Sequence, residues 1–466
     1  MAADSEIALL PARRLARMIQ DREISSRELL ELYLQRIDRL NPLLNAVVTL
    51  DPEGARAAAA AADERTAAGR PMGPLHGLPM TVKDAIEVAG MRSTGGSTAL
   101  RDHRPTADAP VVARLRRAGA VVMGKTNVPE WSGDIQTYND LFGVTNNPWD
   151  PTLTPGGSSG GPAAAVAAGL TSFETGTDIG GSIRIPSSFC GICGHKPSFG
   201  VVSQRGYLDQ VGGGMTDADI NVFGPLARSV EDLELLLEVL AGPDEEDAAG
   251  WSLTLPPPRH RDLSGYRVGL WLDDPACQVD RRALDLLQGA ASALAGAGAE
   301  VSDARPPLEL KEMESLFSAL LLAAISVSLE PGLGEALAGN HRAWLELTRR
   351  RAAVRRVWAE WFRSYDVLLC PVMPMLPFPH DTEGTIGDRY VIIDGRSRPQ
   401  SETLAWTGLV GMAYLPSTVV PVGRTADGLP VGIQVVGPYL GDRTTLHVAG
   451  RLAELKGGVL PPPTAL

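Results

Sequence analysis

Two serines set among glycines, and one lysine far upstream of them, are the residues of this chain best suited to do chemistry. Ser158 lies in Gly156-Gly157-Ser158-Ser159-Gly160-Gly161, and Ser182 lies 24 residues later in Asp178-Ile179-Gly180-Gly181-Ser182-Ile183-Arg184. Lys83 ends the run Gly77-Leu78-Pro79-Met80-Thr81-Val82-Lys83, 75 residues before Ser158. A serine hydroxyl is a weak nucleophile until a base takes its proton. Lysine can serve only when neutral, which at pH 7 holds for roughly one unperturbed ammonium in a few thousand. Burial lowers its pKa by penalising the charged form, and Met80, Thr81 and Val82 place Lys83 at the end of a buried strand. Asp84 would hold the proton on if it reached Lys83, so the two must point apart, as strand neighbours do. Serine Oγ both donates and accepts, so Ser158 can relay a proton from Ser182 to Lys83. The N–H groups of Ile179, Gly180, Gly181 and Ser182 are the candidate oxyanion hole, a nest of donors for a tetrahedral intermediate. The constellation points to a serine hydrolase whose base is a lysine.

Other motifs compete with this reading and lack their structural context. Gly119-Ala120-Val121-Val122-Met123-Gly124-Lys125-Thr126 fits the phosphate-loop pattern, but its variable positions read as the strand itself and Pro129 follows too soon for a helix opening at Lys125. Gly156 to Gly160 fits the nucleophile elbow of α/β-hydrolases, yet it follows loop rather than strand; a Ser-His-Asp reading would call on His341, His380 or His447. Cys190-Gly191-Ile192-Cys193 has no second pair and reads as packing behind the Ser182 loop. The histidines show no metal-ligand spacing, so neither a metal nor a cofactor is expected. Arg349-Arg350-Arg351 with Arg355-Arg356 reads as a solvated helix face.

The elements that must position these residues follow from periodicity. Helices are expected from Leu9 to Ile19, after the capping box Ser25/Glu28 to a stop at Asn41-Pro42, and from Pro52 to Ala68. Ala46–Leu50 reads as a short buried strand. From Leu78 to about Gly242, short β-branched runs alternate with glycine-rich turns and helices, which argues for an α/β fold with a central sheet covered by helices on both faces. Residues 243–263 read as exposed connection and 371–400 as Pro-rich and irregular. The expected organisation is one domain over 1–466, with a catalytic core of about 70–245 plus 405–455 and an inserted substrate or lid region of about 250–400. The 466 residues carry 44% hydrophobic residues and a net charge of −12 with no block of Lys and Arg, which disfavours a nucleic-acid surface. No apolar stretch approaches a membrane span, and Met1–Glu6 lacks signal-peptide character, so the cytoplasm is the expected compartment. Oligomeric state is not readable, and a homodimer is left open.

These segments resemble the amidase signature family. The likeness is carried by Gly156–Gly161, by Gly176 to Arg184 with Pro186 and Phe189-Cys190-Gly191, and by Lys125-Thr126-Asn127, Asn147-Pro148-Trp149, Gly224 to Arg228 and Gly428 to Gln434. It spans about residues 25–455 and is weakest over 250–400. The resemblance implies the family's mixed, twisted sheet, Ser182 as nucleophile, Ser158 as a bridging serine in a cis linkage, Lys83 as general base and acid, and 179–182 as the oxyanion hole. Asp178, Ser159 and Arg184 match structural positions, while His195 departs from the aliphatic residue usual at its place. By position, Trp131, Ser132 and Ile179 are expected to line the acyl side of the substrate. The implied activity is hydrolysis of a small-molecule amide, anilide or carbamate, with esters within reach of the same centre. The alternative is the amidase component of a tRNA-dependent amidotransferase, which needs a partner and usually carries Thr where this chain has Ile179.

Overall fold

Ser25 opens the second helix as its capping box predicts. In the computed structural model, which describes residues 6–329 and 331–465, α1 (Ala12–Gln20) is followed by α2 (Ser26–Leu44). Glu28 N–H donates to Ser25 Oγ at 3.1 Å and Ser25 N–H to Glu28 Oε2 at 2.8 Å, a reciprocal cap that stabilises the helix by about 1 kcal/mol. Leu29, Leu30, Tyr33 and Ile37 form the buried face. Asn41-Pro42 does not end the helix. Pro42 sits in the last turn, and the stop comes at Asn45, which adopts a left-handed conformation and donates to Asn41 O at 2.7 Å. The Asn41 amide instead accepts from Ala46 and Val47 N–H at 2.9 and 2.8 Å and starts the next strand.

A small three-stranded sheet comes next, where a single sheet was expected. It is built from β1 (Val47–Leu50), β2 (Pro79–Lys83) and β3 (Val121–Thr126), in the order β1-β3-β2, with α3 (Pro52–Ala67) and α4 (Pro110–Arg117) between the strands. β2 and β3 are parallel and buried throughout. β1 pairs antiparallel at the edge, so its burial fades from Val47 to an exposed Leu50.

The large sheet has eight strands: β4 (Glu174–Asp178), β5 (Cys193–Lys196), β6 (Val222–Ala227), β7 (Arg267–Leu270), β8 (Glu300–Ser302), β9 (Val367–Pro371), and, after a hairpin of β10 (Tyr390–Ile393) and β11 (Arg396–Pro399), β12 (Ser417–Arg424) and β13 (Pro430–Val436). Their order is β8-β7-β9-β13-β12-β5-β6-β4; β7 pairs parallel with β8 and β9, and the remaining pairs are antiparallel. The span 250–400 therefore supplies three strands of this sheet and is part of its body, not an insertion beside it. The irregular stretch after Pro371 also contains the β10–β11 hairpin, whose Asp394-Gly395 turn has φ of 48° and 74° at both central residues, the geometry that Asp-Gly favours.

Helices cover both faces, as alternation along β12 shows. Thr418 Oγ1 bonds Thr445 Oγ1 at 2.9 Å on α13, the closing helix, whereas on the opposite side Ser417 Oγ donates to Gln434 Oε1 at 3.0 Å, which also accepts from Arg184 Nη1, on the helix of that face, at 3.2 Å. The helices after β3 are α5 (Gly160–Ala167), α6 (Arg184–Cys190), α7 (Val230–Leu240), α8 (Arg281–Gly296), α9 (Leu310–Ile325), α10 (Pro331–Ala338), α11 (His341–Trp361), α12 (Ala405–Gly411) and α13 (Asp442–Lys456). This is an α/β fold with a mixed central sheet. The small sheet docks through β2 against the edge strand β4, and the candidate site forms at that junction.

Candidate active site

Lys83 ends β2 with its amine enclosed between the two sheets. Its Nζ donates to Ser158 Oγ and to Thr177 Oγ1, both at 2.7 Å. Among the described residues it forms no ion pair. Burial pushes its pKa down to about 7, against the opposing charges of Asp178 and Glu174. Asp84 turns away, as strand geometry requires, and accepts from the N–H of Thr94 at 3.1 Å and from the Thr94 hydroxyl. Glu174, one strand over, accepts from Thr126 Oγ1 at 2.8 Å. Burial raises its carboxyl to about 7, against hydrogen bonds from Thr81 and Thr126 and the charge of Lys125.

The two serine loops are locked together through backbone. Ser159 N–H donates to Ser182 O at 3.1 Å, and the Gly157–Ser158 peptide is cis, as the resemblance implies. Ser158 is fully buried while Ser182 retains 7% exposure, so of the two hydroxyl-bearing residues only Ser182 meets solvent. Asp178 organises the Ser182 loop: its carboxylate accepts from Gly181 N–H at 2.8 Å, Ile183 N–H at 3.2 Å and Arg184 Nη2 at 2.9 Å. Burial acts to raise this carboxyl, but the Arg184 guanidinium, helped by Lys196 and Gly181 N–H, holds it below the usual carboxylate range. Gly181 has φ 120°, and a Cβ there would meet Ile185 Cδ1 and Thr407 Cγ2 at 2.8 Å, so no other residue fits.

The expected oxyanion set is narrowed by this geometry. Gly181 N–H is committed to Asp178, because a buried carboxylate is the stronger acceptor. Among the described residues the N–H groups of Ile179, Gly180 and Ser182 have no protein acceptor. The Thr407 hydroxyl of α12 donates to Gly180 O at 2.7 Å and holds the loop from behind.

Trp131 and Ser132 both adopt left-handed backbone, with φ of 52° and 58°. Trp131 N–H donates to Gly95 O at 2.8 Å. Ser132 Oγ is buried beside the Tyr207 hydroxyl without a well-formed hydrogen bond. Burial pushes that phenol up to about 12, with the Ser132 and Thr177 hydroxyls opposing. Beside Gly180 stand Phe317 of α9 and Leu404, which a Cβ on that glycine would meet at 3.6 and 3.9 Å. Sequence reasoning missed Thr177, Glu174 and Tyr207, whereas Phe317 lies in the apolar stretch 316–324 whose composition suits it to cap an apolar pocket. Thr177 adjoins Asp178 on a strand, but its contact with Lys83 spans 94 residues of sequence and exists only once the sheets dock.

The competing motifs dissolve in the fold. Gly124-Lys125-Thr126 continues β3 and no helix follows; Lys125 Nζ donates to Ile86 O and to Ser93 Oγ. His447 bonds Tyr266 at 2.8 Å, and among the described residues no histidine bonds Ser158. Cys190 and Cys193 are buried free thiols, pushed up by burial. No group of three or more His, Cys, Asp or Glu among the described residues is placed to hold a metal, and no described helix is long and apolar enough to cross a membrane.

The sequence profile of the Amidase family matches residues 28–331 and 326–446. The chain belongs to that family. This amidase is 33% identical to a glutamyl-tRNA(Gln) amidotransferase subunit of Synechococcus sp. (strain CC9605), over 92% of this chain and 93% of that one. Among solved structures it is similar to a bacterial aryl acylamidase of the amidase signature enzymes (TM-score 0.83, 27% identity, 96% of each chain). It is also similar to a chain of a vestigial complex that reveals the origins of an s-triazine catabolic enzyme (TM-score 0.84, 29% identity, 97% of this chain and 100% of that one). The amidase is accordingly a hydrolase of non-peptide C–N bonds.

Proposed function

We propose that this amidase is a cofactor-independent, cytoplasmic hydrolase of small-molecule amides, anilides or carbamates, with Ser182 as nucleophile, Ser158 as relay and Lys83 as base. The observation that carries the reading is the buried Lys83 amine, 2.7 Å from Ser158 Oγ and without an ion pair among the described residues. Ser182 Oγ attacks the carbonyl carbon; its proton moves to Ser158, whose own proton moves to neutral Lys83. The oxyanion is held by the N–H groups of Ile179, Gly180 and Ser182. Lys83 then returns the proton through Ser158 to the nitrogen as the C–N bond breaks, leaving an ester on Ser182. Water attacks that ester, loses its proton along the same route, and Ser182 recovers one as the acid departs. Phe317 and Leu404 beside Gly180 favour a substrate with a bulky or aromatic group.

The test is turnover of chromogenic anilides, aryl carbamates and esters by the purified chain alone, with Ser182→Ala as control. Anilide or carbamate turnover that falls by about 10⁴-fold or more in a folded Ser182→Ala variant supports the reading. Retained activity in that variant overturns it. The second reading, a component of a tRNA-dependent amidotransferase, is favoured by the relationship to the Synechococcus protein and opposed by Ile179 in place of Thr. It predicts no free amidase activity without a partner.

A further inference from the structure

On the side of α11 that faces the C-terminal strands lies a cavity of about 850 Å³, lined by Arg259, Arg267, Arg355, Arg356 and Arg363 with a single carboxylate, Asp366. The run Arg349–Arg356, expected as a solvated face, is therefore divided. Arg351 is buried, paired with Asp219 at 2.5 Å and set over the Tyr414 ring. Arg355 and Arg356 look into the cavity.

The cavity holds more cations than it can neutralise. Asp366 is already shared by Arg259 Nη1 at 3.1 Å, His260 Nε2 at 3.4 Å and Arg267 N–H at 2.8 Å. Arg363 pairs with Glu360 at 2.8 Å. Arg355 has no carboxylate among the described residues; its guanidinium lies 4.8 Å from the centroids of both Tyr414 and Tyr439, so its plane is held and its charge is not cancelled. Arg356 makes no hydrogen bond or ion pair among the described residues. This concentration of positive charge stands against a chain of net charge −12. Two uncompensated guanidiniums on a concave surface match the charge and the acceptor oxygens of a phosphate. The volume, within the roughly 300–1,000 Å³ range of small-molecule sites, exceeds what an inorganic oxyanion fills, and Tyr439, Leu415 and Pro438 supply an apolar wall.

We propose that this cavity binds a phosphorylated small molecule, its phosphate between Arg355 and Arg356 and its apolar portion against Tyr439. The probes are phenyl phosphate, inorganic phosphate and phenol, titrated calorimetrically into the full chain at low salt. Phenyl phosphate is expected to saturate with Kd below about 1 mM, and to weaken at least about tenfold in Arg356→Glu. Arg342→Glu, on the same helix but paired with Glu346 outside the cavity, is expected to change Kd by less than about twofold. Matched thermal melts of both variants exclude misfolding. Absence of saturable binding to wild type, equal weakening in the two variants, or phenol binding as tightly as phenyl phosphate would each overturn the site. Equal affinity for inorganic and phenyl phosphate overturns the assignment of the apolar wall.

Discussion

Lys83 and Arg355 both lack a carboxylate partner among the described residues, yet one is sealed between two sheets among hydroxyls and the other lies between tyrosine rings at an open cavity. Burial acts on the lysine by making its proton dispensable, because an amine can titrate near neutrality. A guanidinium cannot be emptied in this way and stays charged wherever it lies. Arg184 shows the third outcome: fully buried, it is compensated by Asp178 at 2.9 Å. The same fold thus lowers one unpaired cation toward neutrality, leaves others facing a cavity, and pairs the third with a buried carboxylate.

Lys83→Met tests the first part of this contrast most severely. Loss of a general base costs about 10²- to 10⁴-fold in kcat/KM, measured by steady-state hydrolysis; a loss below tenfold would place the base elsewhere. The stability of the wild type has a definite sign as well. The folded pKa of about 7 lies below the ordinary 10.5, so the unfolded chain binds the extra proton between those values, and this group's contribution rises with pH across that window. Denaturant unfolding at pH 7 and 9.5 should show the rise in wild type and a smaller rise in Lys83→Met, because the buried Lys125 and Lys196, lowered to about 8 and about 7, contribute in the same window.

Asp178→Asn tests the strut. Removing the carboxylate leaves Arg184 buried and unpaired, for an expected loss of about 3–5 kcal/mol in chemical unfolding, whereas the exposed Arg356→Glu should stay within about 0.5 kcal/mol of wild type. A mild Asp178→Asn would mean that Thr407 O and Gln434, the other acceptors of Arg184 Nη1, suffice alone.

How much of this was legible depended on the range of the contact. Lys83, Ser158 and Ser182 were readable because each is embedded in a local pattern: an apolar strand end or a glycine-rich turn. The capping box and the strands β1, β2 and β3 were readable for the same reason. The second sheet, and the membership of β7, β8 and β9 in the large one, were not, since strand order is decided by docking between distant segments. Gly181 belonged to the expected oxyanion set on spacing alone; only the fold reveals that Asp178 takes its N–H. Arg355 and Arg356 look alike in sequence to Arg349 and Arg350, and only the packing of α11 separates a cavity wall from a solvated face.

Glu174 offers the finest test of how the site tunes Lys83. The carboxylate raises the lysine's pKa from a distance, and its own pKa of about 7 overlaps that of Lys83, so the two share their titration. As pH rises, each Glu174 that ionises makes Lys83 harder to deprotonate. The wild-type rise of kcat/KM with pH should therefore be broader than a single-proton curve centred near 7. Glu174→Gln keeps an acceptor for Thr126 and removes the charge. Its pH profile should shift to lower pH by less than about one unit and steepen to a single-proton slope. An unshifted midpoint would mean that Glu174 is neutral throughout the working range, so that burial alone brings Lys83 to neutrality; an unchanged breadth would assign the second proton to another buried lysine, Lys125 or Lys196, brought to about 8 and about 7.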